Sequence, residues 1–225
     1  MQLVIGNKNY SSWSMRPWVL MRQLGIPFTE RKLRFDFSEG SPFRTAVAEV
    51  SPAGLVPVLL DDGFAVWDTL AIAEYLHERF PAAGVWPADA KARARARSVS
   101  AEMHRGFGAL RSACPMNIEA SLPDVGAKLW AENAAMRANV ARLEALWADA
   151  LKASGGPFLF GAFSAADAFF APVAMRFATY ALPCSATTAA YLQRLREAPG
   201  VAAFIADALE ERDFIPEDEP YRTQR

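Results

Sequence analysis

The chain is poor in the residues that most metal and thiol chemistry requires. Its 225 residues include two cysteines and two histidines. Cys114 and Cys184 belong to no spaced motif, so neither a disulfide framework nor a dithiol redox pair is expected, and both read as free thiols in a reducing compartment. His77 and His104 have no partner at ligand spacing, so no metal site is expected. No apolar run approaches the roughly 20 residues that a membrane helix needs. The amino terminus shows no basic-then-apolar leader pattern. A cytoplasmic protein without membrane association is the expectation. Charge of one sign is not in excess either: the formal net charge is −1, which removes any general attraction to nucleic acid or anionic lipid. The basic stretch Lys91, Arg93, Arg95 and Arg97 alternates along the chain. Residues two apart do not share a helical face, so it reads as solvated charge and not as a recognition stripe.

What is present is apolar residue in quantity, 52% of the chain, ample for a sizeable core in one or two domains. The pattern changes at the segment Pro81-Ala82-Ala83-Gly84-Val85-Trp86-Pro87. Before it, strands and helices alternate in the order βαβ–ββα; after it, nearly everything has helical periodicity. The expected organisation is therefore a mixed α/β unit at 1–82, an all-helical unit at 88–212 and a tail at 213–225. The tail sets Asp213, Glu217, Asp218 and Glu219 among Phe214, Ile215 and Tyr221; docking and mobility are both compatible with that pattern.

Residues 51–76, SPAGLVPVLLDDGFAVWDTLAIAEYL, are the densest in chemical signal. Val58-Leu59-Leu60 and Phe64-Ala65-Val66-Trp67 are β-prone runs around Asp61-Asp62-Gly63, which predicts a hairpin. Pro57 at the mouth of a strand predicts a turn or a cis peptide bond after Val56. A cis bond turns the Val56 N–H and C=O outward, where an extended peptide can pair with them as an added strand. Thr69 opens an amphipathic helix through Leu70, Ile72, Ala73, Leu76 and Phe80. First-turn N–H groups and the Thr69 hydroxyl suit a carboxylate, and Asp68 suits an ammonium. Simple helix capping accounts for Asp68 or Thr69 alone; the ordered combination predicts a corner that grips an α-amino acid by both charges.

The amino terminus carries a second signal. Gln2–Ile5 reads as a strand, residues 7–12 as a polar turn, and a helix is expected from Ser14, with Pro17 in its first turn and Gly25 as its C′ stop. Three serines crowd the positive end of that helix, a place that stabilises a thiolate. Lowering a thiol from about 8.5 to about 6.5 requires about 2.7 kcal/mol. A hydroxyl hydrogen bond to a charged sulfur gives about 1.5–3 kcal/mol and the helix end about 0.3–1, so one serine plus the helix is the expected source.

These two blocks resemble the cytosolic glutathione S-transferases, in which a Val–cis-Pro pair meets the cysteinyl backbone of glutathione and an acidic residue followed by Ser/Thr holds its γ-glutamyl end. The matching positions here are Val56-Pro57 and Asp68-Thr69. SSWSMRPWVL is similar to the Ser-Ser-Cys-Ser-Trp-Arg motif of zeta-class transferases and maleylacetoacetate isomerases, departing from it by Trp13 in the cysteine position. The resemblance places the activating hydroxyl on Ser11, five residues before Arg16, with Ser12 as a further glutathione contact; Tyr10 and Ser12 remain alternative activators. It implies an α/β thioredoxin-like N-terminal domain followed by an all-α C-terminal helical bundle. It also implies glutathione as co-substrate, a small hydrophobic electrophile as second substrate, and a homodimer. Transfer to glutathione sulfur and glutathione-dependent cis–trans isomerisation are both open, as is a non-catalytic binding module.

In the helical half, one long helix is expected from Asp89 to about Ile118 and another over 127–152. Ser164-Ala165-Ala166-Asp167 reads as an Asp capping box before the buried run Ala168-Phe169-Phe170, with Phe163 available for the staple; loss of either polar side chain is expected to cost about 1 kcal/mol. By the resemblance, the second substrate meets the first long helix. That makes His104, Phe107 and Arg111, with Leu110, Cys114, Met116 and, from the first unit, Tyr10 and Trp13, the candidates. Core packing is the competing reading for the apolar members.

Overall fold

The computed structural model describes residues 1–225. Strand β1 (Gln2–Ile5) leads into helix α1 (Ser12–Gln23), then β2 (Thr29–Lys32), α2 (Pro42–Ala48), β3 (Val58–Asp61), β4 (Phe64–Trp67) and α3 (Thr69–Arg79). The four strands form one sheet in the order β2-β1-β3-β4. β1 runs parallel to β2 and antiparallel to β3, with Leu3 opposite Leu59. The two central strands carry the apolar runs, and Leu3, Val4, Ile5, Val58 and Leu59 are wholly buried. The β3–β4 connection is the two-residue Asp62-Gly63 loop, both residues at positive φ, the backbone that matches strand twist in a tight hairpin. The Val56–Pro57 bond is cis.

After a 3₁₀ turn at Pro81–Ala83 the chain is helical: α4 (Ala90–Arg105), α5 (Gly108–Ala113), α6 (Pro123–Glu132), α7 (Ala134–Ser154), α8 (Ala165–Tyr180), α9 (Ala186–Glu197) and α10 (Pro199–Glu211). α8 is the axis of this half, buried along almost its whole length, with α4, α6 and α9 packed on it. It also meets α1, so one continuous core spans both halves. Trp147 of α7 stacks against Phe170, Phe177 and Tyr191. At the head of α8 the Ser164 N–H donates to Asp167 Oδ2 at 3.0 Å. Asp167 also accepts from the Leu159 N–H and the Tyr191 hydroxyl, each at 3.1 Å. The box therefore ties three segments together, more than the cap expected.

Three expected helix limits are corrected. α1 begins at Ser12, with Ser11 as its N-cap, so Pro17 lies in the second turn. The long helix from Asp89 is broken at Gly106-Phe107: Gly106 is extended and Phe107 has φ +59°. Arg111 Nη1 donates to the His104 and Gly106 carbonyls at 3.2 and 3.5 Å, so the broken end of α4 is satisfied by a side chain. The helix over 127–152 is likewise two helices. Asn133 ends α6 and caps α7, its Oδ1 accepting from the Met136 N–H at 2.8 Å, because an asparagine side chain competes effectively for a first-turn donor. The tail is docked: it crosses the first unit, with Ile215 packed beside Tyr10, Phe35 and Phe43.

Candidate active site

The turn after β1 is polar in sequence but buried in the fold, with Asn7, Lys8 and Asn9 all under 5% exposed. Carboxylates from far along the chain satisfy it. Glu211 accepts from the Lys8 and Asn9 backbone N–H groups at 2.8 and 3.2 Å, and Asp213 accepts from Asn7 Nδ2 at 2.8 Å. Lys8 Nζ pairs with Glu30 and Asp207 at 2.7 and 2.6 Å. Asn9 reaches the other side, donating to Asn117 Oδ1 at 3.0 Å and accepting the Glu119 N–H at 2.8 Å. The loop that presents Ser11 is thus clamped by both halves and the tail. No local pattern pointed to Glu211, Asp213, Asn117 or Glu219 as partners.

The Ser11 hydroxyl donates to Ser14 Oγ at 2.7 Å and accepts the Ser14 N–H at 3.3 Å. Ser14 Oγ in turn accepts the Gly6 N–H at 3.1 Å. The Tyr10 hydroxyl is committed elsewhere, donating to Glu219 Oε1 at 2.7 Å. Burial and that carboxylate raise the phenol to about 12, so in this structure its proton is directed at Glu219 and not at Ser11.

At the start of α3, Asp68 sits at φ +72°. Its Oδ1 caps the helix, accepting the Leu70 N–H at 2.8 Å, while Oδ2 faces His104 Nε2 at 3.2 Å. The other ring nitrogen of His104 lies 3.4 Å from Thr69 Oγ1. Burial first, then repulsion from Arg16 and Arg111, pushes the His104 pKa down against the pull of Asp68. The corner thus presents the Asp68 carboxylate beside an imidazole. The Val56 N–H and C=O make no hydrogen bond within the chain.

Two adjoining cavities unite these groups. One, of about 320 Å³, is walled by Trp13, Val56, Pro57, Asp68 and Thr69. The other, of about 720 Å³, is walled by Tyr10, Ser11, Ser12, Trp13, Val56 and Arg111, together with Met116, Arg176 and Asp218. Trp13 and Val56 stand between them. The structure thus brings together every expected contact except Phe107, Leu110 and Cys114, which are core residues, and His104, which reaches the site through Asp68 and Thr69. Phe107, at φ +59° in the α4–α5 break, is buried in the core. Arg176 and Asp218 were not expected. Arg176 is the one basic residue of the largely apolar α8, a signal that sequence alone does carry.

A small mixed sheet with a cis-proline corner, joined to a helical bundle across a shared cleft, defines the two-part thioredoxin-like class. The comparisons agree: the model of the glutathione S-transferase N-terminal domain matches residues 10–79, and that of the C-terminal domain residues 128–207. The chain belongs to the glutathione S-transferase family. It is similar to dichloromethane dehalogenase of Methylorubrum extorquens, 38% identical over 68 residues, 29% of this chain and 23% of that protein. A probable maleylacetoacetate isomerase of Caenorhabditis elegans is 35% identical over 69 residues, 31% of this chain and 32% of that protein. The chain thus spans a quarter to a third of these curated relatives. A Burkholderia glutathione transferase homologue, solved with bound glutathione, shares the fold at TM-score 0.71 and 24% identity, covering 93% of this chain and 98% of that one.

Proposed function

We propose that the chain is a glutathione transferase in which Ser11 hydrogen-bonds the glutathione thiolate, while Val56, Asp68 and Thr69 hold the tripeptide. The observation that carries this reading is that Ser11, at the N-terminus of α1, opens onto the same cleft as an unpaired Val56 backbone. Asp68 offers its carboxylate to the γ-glutamyl ammonium, and Thr69 with the first turn of α3 offers donors to the neighbouring carboxylate. The sulfur then forms a bond to an electrophilic carbon as the leaving group departs.

The energetics differ from the sequence expectation. Because the Ser11 proton already serves Ser14, turning it to a thiolate exchanges a neutral hydrogen bond for a charged one. The net gain is about 1–1.5 kcal/mol rather than about 1.5–3. With about 0.3–1 from the helix end, the roughly 2.7 kcal/mol for a two-unit shift is not reached. Cationic side chains make up the remainder, and Arg16, five residues after Ser11 and buried, is the first of them. Titrating the thiolate absorbance of bound glutathione tests this: Ser11→Ala raises the bound thiol pKa by about one unit. An unchanged pKa with binding intact rejects Ser11 as activator.

Reversible use of the same thiolate, as in a glutathione-dependent cis–trans isomerase, is favoured by the likeness to the Caenorhabditis elegans protein. Mass spectrometry separates the two, since a conjugate accumulates in transfer and free glutathione returns in isomerisation. We further propose a cytoplasmic homodimer acting in detoxification. Free Cys114 and Cys184 fit a reducing compartment, and the exposed Phe64 and Trp67 of edge strand β4 suit a subunit contact. Sedimentation as a monomer at micromolar concentration refutes the dimer. No helix is long and apolar enough to cross a membrane.

A further inference from the structure

The acidic residues of the tail are used unequally. Asp213 accepts from Asn7 Nδ2 at 2.8 Å and pairs with Arg34 Nε at 3.2 Å. Glu219 accepts from the Tyr10 hydroxyl at 2.7 Å, Asn117 Nδ2 at 2.8 Å and Arg222 Nε at 2.9 Å. Glu217 is exposed to water. Asp218 stands apart from all three: it forms part of the wall of the larger cavity, with Tyr10, Ser11 and Arg111, and its Oδ2 is buried with no hydrogen-bond partner. An ionised carboxylate in that position leaves charge on an oxygen that has neither water nor a donor; the neutral acid does not.

The tail fixes that side chain at the cavity from both directions. Before it, Ile215 packs beside Tyr10, Phe35 and Phe43. After it, Glu219 is tied to both halves of the chain, and the Tyr221 hydroxyl donates to the Ala113 carbonyl at 2.7 Å. The 3₁₀ turn Pro216–Asp218 lies between these anchors. The charged and titratable groups around Asp218 are Glu217 and Glu219 on its own segment, Tyr10 of the turn after β1, Arg44 of α2, Arg111 of α5 and Arg176 of α8. The three guanidiniums donate to backbone carbonyls, those of Phe37, His104 and Pro172, and not to Asp218. Burial first, then Glu217 and Glu219, raises the Asp218 carboxyl to about 6. An acid whose pKa lies close to the working pH is suited to giving up a proton and recovering it.

Ser11 and Asp218 stand in the wall of one cavity of about 720 Å³, room enough for a small electrophile between them. Building on the glutathione reading above, we propose that Asp218 is a catalytic proton donor, so that this chain carries out additions in which charge develops on a substrate oxygen, the ring opening of an epoxide being the defining case. The thiolate lone pair forms the C–S bond, and the ring C–O bond breaks with its electron pair passing to oxygen. That oxygen takes the Asp218 carboxyl proton, which gives a hydroxy thioether, and the carboxylate regains a proton from water. Displacement of a halide makes no use of this proton, because the leaving anion departs without one.

Conjugation of styrene oxide and phenyl glycidyl ether, set against chlorodinitrobenzene, tests this with glutathione as the nucleophile throughout. In the wild-type protein kcat/KM for the aryl chloride rises with pH as the thiolate forms and then levels. For the epoxides it passes through a maximum and falls as Asp218 loses its proton. Asp218→Asn lowers the epoxide-to-aryl-chloride ratio about a hundredfold near pH 6 and removes the falling limb. Asp218→Glu keeps part of the ratio, and Glu217→Gln, on the exposed neighbour, leaves it in place. An unchanged ratio in Asp218→Asn overturns the proposal. So does an equal loss with both kinds of substrate, which marks a tail that only shapes the cavity, and so does a wild-type protein that conjugates the aryl chloride and neither epoxide. Failure of S-methylglutathione to bind in titration calorimetry overturns the glutathione reading instead, a distinct result.

Discussion

Asp167→Ala removes the carboxylate at the head of α8 and is the most diagnostic change to the fold. The side chain is wholly buried, and it accepts from the Leu159 and Ser164 N–H groups and the Tyr191 hydroxyl at 3.1, 3.0 and 3.1 Å. Alanine strands two buried backbone donors at about 1–3 kcal/mol each and one hydroxyl at about 1. Against this stands the relief of no longer burying a carboxylate. Burial, opposed by those same hydrogen bonds, raises the Asp167 pKa to about 6 from an ordinary 3.8. A carboxyl whose folded pKa is raised contributes most stability below its unfolded pKa and loses it as pH rises through the folded one. The loss is about 1–2 kcal/mol by pH 5 and about 3 kcal/mol by pH 7.5. Asp167→Ala lacks this dependence. Its destabilisation is therefore about 1–5 kcal/mol at pH 5 and smaller, about 0–4, at pH 7.5. Ser164→Ala, which leaves the Ser164 N–H bond in place, costs about 0.5–1 at either pH. Urea denaturation of the three proteins at both pH values measures this. A cost for Asp167→Ala at pH 5 no greater than for Ser164→Ala refutes the joining role. A cost that grows from pH 5 to pH 7.5 shows that the hydrogen bonds, and not burial, set the charge of the carboxyl.

The tail latch rests on Glu219, which accepts from Tyr10 and Asn117 at 2.7 and 2.8 Å and from Arg222 Nε at 2.9 Å. Burial opposes its charge, yet the Arg222 and Tyr10 hydrogen bonds prevail and lower its pKa. A depressed carboxyl stabilises above its unfolded pKa of about 4.5 and loses this as pH falls through the folded value. Protection from amide exchange in residues 213–222, measured against the intrinsic rate at each pH, is thus high at neutral pH and falls in Glu219→Ala and in acid; equal protection in variant and wild type at neutral pH refutes the latch. At the α6–α8 contact, a Cβ on Gly126 falls 1.7 Å from the Tyr180 carbonyl oxygen. Backbone cannot yield there as a side-chain tip does, so Gly126→Ala costs about 3 kcal/mol in chemical denaturation; an unchanged midpoint refutes the close approach.

Where the sequence was legible, the governing interactions are short in range. The Asp62-Gly63 hairpin, the Val56–Pro57 bend, the Asp68 start of α3 and the Ser164–Asp167 box are each decided within a few residues, by turn chemistry and capping. Helix limits failed for a related reason. Periodicity runs through a break without registering it, and Gly106-Phe107 and Asn133 interrupt helices whose apolar spacing continues on either side. The signals were present in the Arg-Gly-Phe-Gly stretch at 105–108 and in an asparagine before an apolar run, but local propensity competes with them on nearly equal terms.

The sequence by itself determined the two-part architecture, the serine at a helix N-terminus and the corner made by Val56-Pro57 and Asp68-Thr69, because these follow from backbone geometry and neighbouring side chains. Only the tertiary structure decided which charges are paired. Tyr10 and Glu219 meet across 209 positions of sequence, and Glu211 closes on the Ser11 turn from a similar remove. Arg16, Arg111 and Arg176 assemble without a counter-ion from three separate helices. Electrostatic pairing is a property of distance in space and of burial, and neither is written into any window of the chain short enough to read.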